Sequence, residues 1–322
     1  MRFIFVLSAF IYGAIGQQYK QYSKPAGILT LVSGDVSIFR TQAMVPEQAH
    51  LLDYLFEGDT LVIEDTGLAT IFFKTGVLLT LDSKRCLEIN VAGLDTLDLP
   101  IKKPVNPKKM SGLFDDMCTL KQKYDEMMPR NIIESDDTIS CVIQYPGNTA
   151  LINARPDIIW NKYPGANWYT MNMQQGSEIL SSIATTDTVF LYPDNVEDLL
   201  PGNYKIRVLA VHNSDTLYKT TRTLTILDSL SANNVHQTIE MITKQKPDDF
   251  TFLLLKAVFF RGKSLRFMAI EAFKKLLAID PGSPILYKGL AELYYGLGIF
   301  ELGDAFFDLS KQTIITPQIQ RQ

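Results

Sequence analysis

Histidine, tryptophan and cysteine are scarce in this 322-residue chain, which has three, two and three of them. Cys86, Cys118 and Cys141 are an odd number, so at least one thiol is unpaired within a monomer and a disulfide framework is excluded. No CxxC pair occurs, and His50, His212 and His236 stand far apart, which argues against a zinc site. No G-x-S-x-G nucleophile motif is present. An excess of basic residues is also missing: 31 Lys and Arg face 35 Asp and Glu, giving a net charge of −4 and no basic footprint for nucleic acid. After the N-terminus no apolar run reaches the ~20 residues that span a bilayer, so no transmembrane span is expected in the mature chain. The composition is 46% hydrophobic, ample for packed cores, and the length suggests two or three domains. No cofactor is expected.

The chain begins MRFIFVLSAFIYGAIGQQYKQ. One Arg precedes a short apolar run, Phe3 to Ile15, and Ala14 and Gly16 put small residues where a signal peptidase reads them. This reads as a cleaved secretory signal over residues 1–16 with a mature start near Gln17, and implies a periplasmic or secreted protein. A buried N-terminal strand or helix is the alternative. No Cys stands at the cleavage position, which argues against a lipoprotein anchor.

Residues 24–92 alternate in the manner of short strands, with turn chemistry at Gly34-Asp35, Gly58-Asp59, Thr66-Gly67 and Thr75-Gly76. The order of SGDVSIFR followed by EGDTLVIEDTGLATIFFKTGVLLTLD resembles the FecR-type domain of bacterial envelope proteins, over about residues 27–92. Known FecR regulators carry a cytoplasmic anti-sigma segment and a transmembrane helix ahead of this domain. Neither is legible here, so the resemblance implies an envelope β-module, with an envelope-side regulatory sensor as an alternative role.

Residues 93–136 change texture. LPIKKPVNPKKMSG suits an extended Pro/Lys-rich linker, and LFDDMCTLKQKYDEMMP suits a short helix ending before Pro129, with Met and aromatic residues placed to pack on a neighbouring domain. Over 137–228 strands return with turns every ten or so residues, the spacing of a β-sandwich. Pro156, Trp160, Tyr169 and the run Leu200-Pro201-Gly202-Asn203-Tyr204 resemble fibronectin type III, which implies Trp160 in the core and a Tyr204 corner.

Residues 229–316 read as helices with an internal echo. Pro247 and Pro281 lie 34 residues apart, and the same offset links Ala257 to Ala291, Phe260 to Tyr294, Ala269 to Gly303 and Phe273 to Phe307. That period and GLAELYYGLGIFELGDAFF resemble tetratricopeptide repeats. Small residues at Ala257, Ala269, Ala291 and Gly303 suit helix crossings, the aromatics suit the gaps between helices, Pro281 marks a repeat boundary and Gly298 a turn. Ser264 stands where the second repeat has Gly298. The resemblance implies that the first helix of each pair lines a groove, which puts Leu254, Val258, Arg261, Lys288, Glu292 and Tyr295 on a face suited to a peptide or protein segment. The alternative is that so few repeats only buttress the β-domains.

Motifs with chemical meaning have bland readings beside them. Asp65-Thr66-Gly67 is the triplet of aspartic proteases, which need two carboxylates sharing a proton, but it falls where the β-pattern needs a turn. Arg261-Gly262-Lys263-Ser264 is half a phosphate loop after a helix and reads as a turn. Glu57, Asp59, Glu64 and Asp65 suggest either a weak calcium site or solvated turns. The expectation is a multidomain, non-enzymatic envelope protein: two all-β modules, FecR-like and then Ig- or fibronectin-like, followed by a tetratricopeptide-like helical segment. Its expected role is protein–protein interaction or scaffolding. A glycan or cell-wall-polymer module, with Tyr163, Trp168 and Tyr169 as stacking faces, is the alternative.

Overall fold

The computed structural model describes residues 24–41, 43, 45–92, 94, 104, 106–128 and 141–312. The expected signal segment, much of the Pro/Lys-rich linker and residues 313–316 lie outside the described residues. The chain combines several antiparallel sheets with six helices among the described residues, and divides into two compact units after Asp115.

The first unit is built on two four-stranded antiparallel sheets. One has the order β4-β1-β6-β7, from β1 (Gly27–Ser33), β4 (Tyr54–Leu55), β6 (Leu68–Phe73) and β7 (Leu78–Asp82). The other has the order β3-β2-β5-β8, from β2 (Val36–Phe39), β3 (Glu47–Gln48), β5 (Thr60–Ile63) and β8 (Arg85–Glu88). Alternation sends Leu29, Ile71 and Leu79 of the first sheet and Ile38, Leu61 and Leu87 of the second into one core. The run LATIFF of β6 hardly alternates because both of its faces are covered. On its other face Phe72 meets the edge of Phe114, ring centroids 5.8 Å apart, from helix α1 (Pro107–Asp125).

The two Gly-Asp pairs have separate structural reasons. Gly34 has φ +69°, and a Cβ there would stand 2.2 Å from the Thr66 carbonyl oxygen in the neighbouring turn. Left-handed strain of about 1–2 kcal/mol and a backbone clash then act together. Gly34→Ala is therefore expected to destabilise the first unit by at least about 2 kcal/mol, read as a lower urea midpoint. Asp59 is buried and accepts from Arg40 Nη1 at 2.7 Å and from the Phe56 amide at 2.9 Å. Arg40 also donates to the Tyr54 carbonyl at 2.7 Å. Asp59 thus ties two turns to a half-buried cation and does not belong to a cation-binding cluster. Glu57 bonds Lys74 and the Val91 amide, and exposed Asp65 pairs with Lys84 at 3.1 Å.

The second unit opens with residues 116–125 of α1 and continues as a sandwich. Its larger sheet has the order β10-β16-β15-β12-β13, from β10 (Thr149–Leu151), β12 (Trp168–Gln175), β13 (Glu178–Thr185), β15 (Gly202–His212) and β16 (Asp215–Ile226). Only β10 is parallel to its neighbour. The smaller sheet is β14-β11-β9, from β9 (Ile143–Tyr145), β11 (Ile158–Trp160) and β14 (Val189–Phe190). Trp160 is fully buried, edge-on to Tyr169 at 5.8 Å. The Tyr204 hydroxyl donates to the Leu200 carbonyl at 2.5 Å and closes the corner before β15. Tyr169 is core, and its hydroxyl accepts from the Tyr163 amide, which corrects its candidacy as a stacking face for a glycan. Tyr163 is itself stacked on Tyr218, and Trp168 is half-buried. Cys141 is buried in this core with its thiol pushed up to about 11 by desolvation, whereas Cys86 is exposed in β8; no disulfide joins the three cysteines among the described residues.

Five helices follow: α2 (Ser229–Lys244), α3 (Asp249–Gly262), α4 (Arg266–Ile279), α5 (Pro284–Leu297) and α6 (Phe300–Gln312). Asp228 and Asp248 accept from the amides of Ser231 and Thr251 and so start α2 and α3. Helix α4 has no cap of its own; Thr149 Oγ1 of β10 accepts from the Arg266 amide at 3.1 Å instead. Helix α3 packs on α4, α5 on α6, and α4 on α5. The 34-residue echo extends to backbone conformation: Ser264 (φ +57°) and Gly298 (φ +78°) both turn left-handed between paired helices. The sandwich holds both turns. Ala150 N donates to the Ser264 carbonyl at 2.9 Å, and Arg222 Nη2 to the Gly298 carbonyl at 3.2 Å.

Candidate functional site

The residues expected to line a groove come together on α3 and α5, but the face they form is already covered. Arg261 grips Glu292 as a fork, Nε to Oε2 at 2.6 Å and Nη2 to Oε1 at 2.9 Å. Lys123 of α1 reaches the same Oε1 at 2.6 Å. Lys288 donates to the Tyr124 carbonyl at 2.9 Å, near the end of α1, where the Met127 amide also reaches the same oxygen at 3.4 Å. Tyr124 itself is 1% exposed. Its hydroxyl oxygen would stand 2.8 Å from a Cβ on Gly289 and has no hydrogen-bond partner among the described residues. Gly289 is thus the gap in α5 that admits the Tyr124 hydroxyl and the edge of the Phe273 ring. Asp116, about two turns before Tyr124 on α1, lies against Gly262 and adds its charge beside Arg261.

Three members of the expected groove are corrected. Leu254 and Val258 are fully buried and present no surface. Tyr295 turns toward α6: its ring occupies the space beside Gly303, where a Cβ would stand 2.4 Å from Cδ1, and its hydroxyl donates to Asp304 at 2.7 Å. Of the expected packing set, Ala257, Phe260, Ala269, Phe273, Ala291, Tyr294 and Phe307 are buried. Pro281 is the exception, an exposed residue in the turn between α4 and α5 that punctuates the repeat without packing into it.

Charge at the centre of the site follows from this geometry. Burial pushes the Glu292 carboxyl up, but hydrogen bonds and charge from Arg261, and then from Lys123, outweigh it and hold the group below its ordinary value. Burial pulls Arg261 down and Glu292 more than restores it. Beyond the end of α1 a cleft of about 540 Å³ remains open, lined in part by Met127, Arg261, Arg266, Glu292 and Tyr295. The arrangement grips a helix by a main-chain carbonyl, an aromatic ring and an ammonium group. It sets no nucleophile beside a base. Sequence reasoning missed Asp116, Lys123 and Tyr124 as parts of this site. The signal was there: Met117, Leu120 and Tyr124, at positions i, i+3 and i+7, mark a buried stripe on the second half of α1.

No family model matches the chain, and no curated protein matches it. Among solved structures, a cell surface anchoring domain aligns with 24% of this chain and 99% of its own length, at 22% identity and a TM-score of 0.21. A β-1,2-glucanase from Parabacteroides distasonis aligns with 54% of this chain, at 10% identity and a TM-score of 0.20. The aligned part spans 33% of the glucanase. Among the described residues no helix is long and apolar enough to cross a membrane.

Proposed function

We propose that this protein is an exported, non-enzymatic scaffold of a bacterial envelope, in which a FecR-like β-module and a fibronectin-like sandwich carry tetratricopeptide-like helix pairs that hold a helical segment. One observation carries the reading: the α3–α5 face meets residues 116–125 with a carboxylate that takes the Lys123 ammonium, a lysine on a main-chain carbonyl and a glycine gap that takes a tyrosine hydroxyl. A face that recognises a helix in cis has the chemistry to recognise one in trans. The 34-residue echo and the paired left-handed turns support the repeat reading.

The test compares envelope extracts pulled down by the full chain and by a chain truncated after Leu227. Loss of defined partners on truncation is the expected result. An unchanged set of partners would remove the helices from the binding role.

A further inference from the structure

The two edges of the large sandwich sheet are treated differently. Strand β10 at one edge is closed by the helical segment through Ala150 and Ser264. Strand β13 at the other edge has β12 as its sole strand neighbour, and no described residue pairs with its outer backbone. Exposed sheet edges are commonly guarded by lysine or proline; Glu178–Thr185 has neither. The bulge it does have, with Leu180 extra between the pairs Ser181↔Met173 and Ile179↔Gln174, sends Leu180 toward a cleft beside the edge.

That cleft holds about 280 Å³ and is lined mainly by apolar and aromatic groups, with Met173, Phe190 and Tyr204 at its base. Leu180, Val196 and Leu200 at its lining are 42, 45 and 71% exposed, an unusual loss of burial for three large side chains in one place. The loop that forms its wall is pinned. Arg155 donates to the Val196 and Pro193 carbonyls and to Asp198, and the Tyr192 hydroxyl donates to the Glu197 carbonyl at 2.6 Å. The cleft is therefore formed before anything enters it. Its surroundings carry one sign: residues 176–201 contain Glu178, Asp187, Asp194, Glu197 and Asp198 and no Lys or Arg, and Arg155 is the cation paired there.

We propose that β13 and this cleft form a strand-addition site for an extended segment of a partner protein, apolar at alternate positions and basic between them. Its main chain would extend the sheet from β13, its apolar side chains would enter the cleft, and its cations would face the acidic rim. This surface is separate from the α3–α5 face, so the two readings stand or fall independently.

The test titrates the full chain against a short fluorescent peptide alternating isoleucine with lysine, followed by anisotropy. Saturable binding is expected. It should weaken roughly tenfold or more in three cases: with glutamate in place of lysine, with the main chain N-methylated along one edge, and with Leu200→Gln in the protein. Leu200 is largely exposed, so this variant keeps its fold, which circular dichroism checks. Absence of saturable binding, equal binding of the acidic peptide, or indifference to N-methylation or to Leu200→Gln would overturn the proposal. Light scattering separates the other occupant: a dimer that Leu200→Gln dissociates would assign the surface to a second copy of this chain and overturn a partner strand.

Discussion

Tyr124→Ala is expected to destabilise the second unit by about 3–5 kcal/mol, the range for emptying a fully buried aromatic site. The side chain is buried and its hydroxyl reaches Gly289, where the Phe273 ring also comes close, so its removal leaves a cavity between α1 and α5. Tyr124→Phe should behave differently. The hydroxyl is buried without a partner, and an unmet polar group costs about 1–3 kcal/mol. Deleting the oxygen while keeping the ring is therefore expected to be neutral or stabilising, read as an unchanged or higher urea midpoint. Opposite signs for the two substitutions distinguish a ring held by packing from one held by its hydroxyl. Burial, and next the Glu292 charge, raise the pKa of this phenol well above 10.0, while Arg261 opposes them. Stability from this group is full below the unfolded-state value near 10 and falls as pH rises beyond it.

How much of this was legible in the sequence depends on how local each cause is. The turns at Gly34 and Gly58 are set by neighbours a few residues apart, the echo by repetition at a fixed offset, and both were readable; the caps Asp228 and Asp248 were not singled out. Trp160 was readable as core through the resemblance to fibronectin type III. The occupied groove was not. Lys123 and Glu292 lie 169 positions apart, and no local pattern joins them. Leu254 and Val258 were misplaced for a related reason. Helix α3 is DFTFLLLKAVFFRG, apolar nearly all round, so periodicity alone does not mark an open face. A helix apolar on every side is buried by several neighbours at once, and here α4 packs along it while Asp116 of α1 lies against its end at Gly262.

Glu292→Ala is expected to cost about 3–5 kcal/mol, because it leaves a largely buried guanidinium at Arg261 without its forked partner. The side chains of Arg261 and Glu292 are 15 and 14% exposed, so solvent screens this pair far less than a surface bridge; Asp116 limits the loss by leaving one carboxylate near Arg261. The double variant Arg261→Met/Glu292→Leu should recover most of the loss, since apolar replacements of similar volume need no counter-ion. Failure to recover would mean that the pair fixes the position of α1 in addition to balancing charge. The acid limb gives a second readout. The folded carboxyl lies below its ordinary 4.5, because the bonds and charge from Arg261 and Lys123 outweigh the upward push of burial. A depressed folded pKa contributes stability that is present above 4.5 and is lost as pH falls through the folded value. Wild-type unfolding free energy should therefore decline below pH 4.5 more steeply than that of Glu292→Gln, which keeps the shape of the side chain and cannot take up the proton. Parallel acid limbs for the two proteins would show that the fork makes no net electrostatic contribution to holding α1 on α3 and α5.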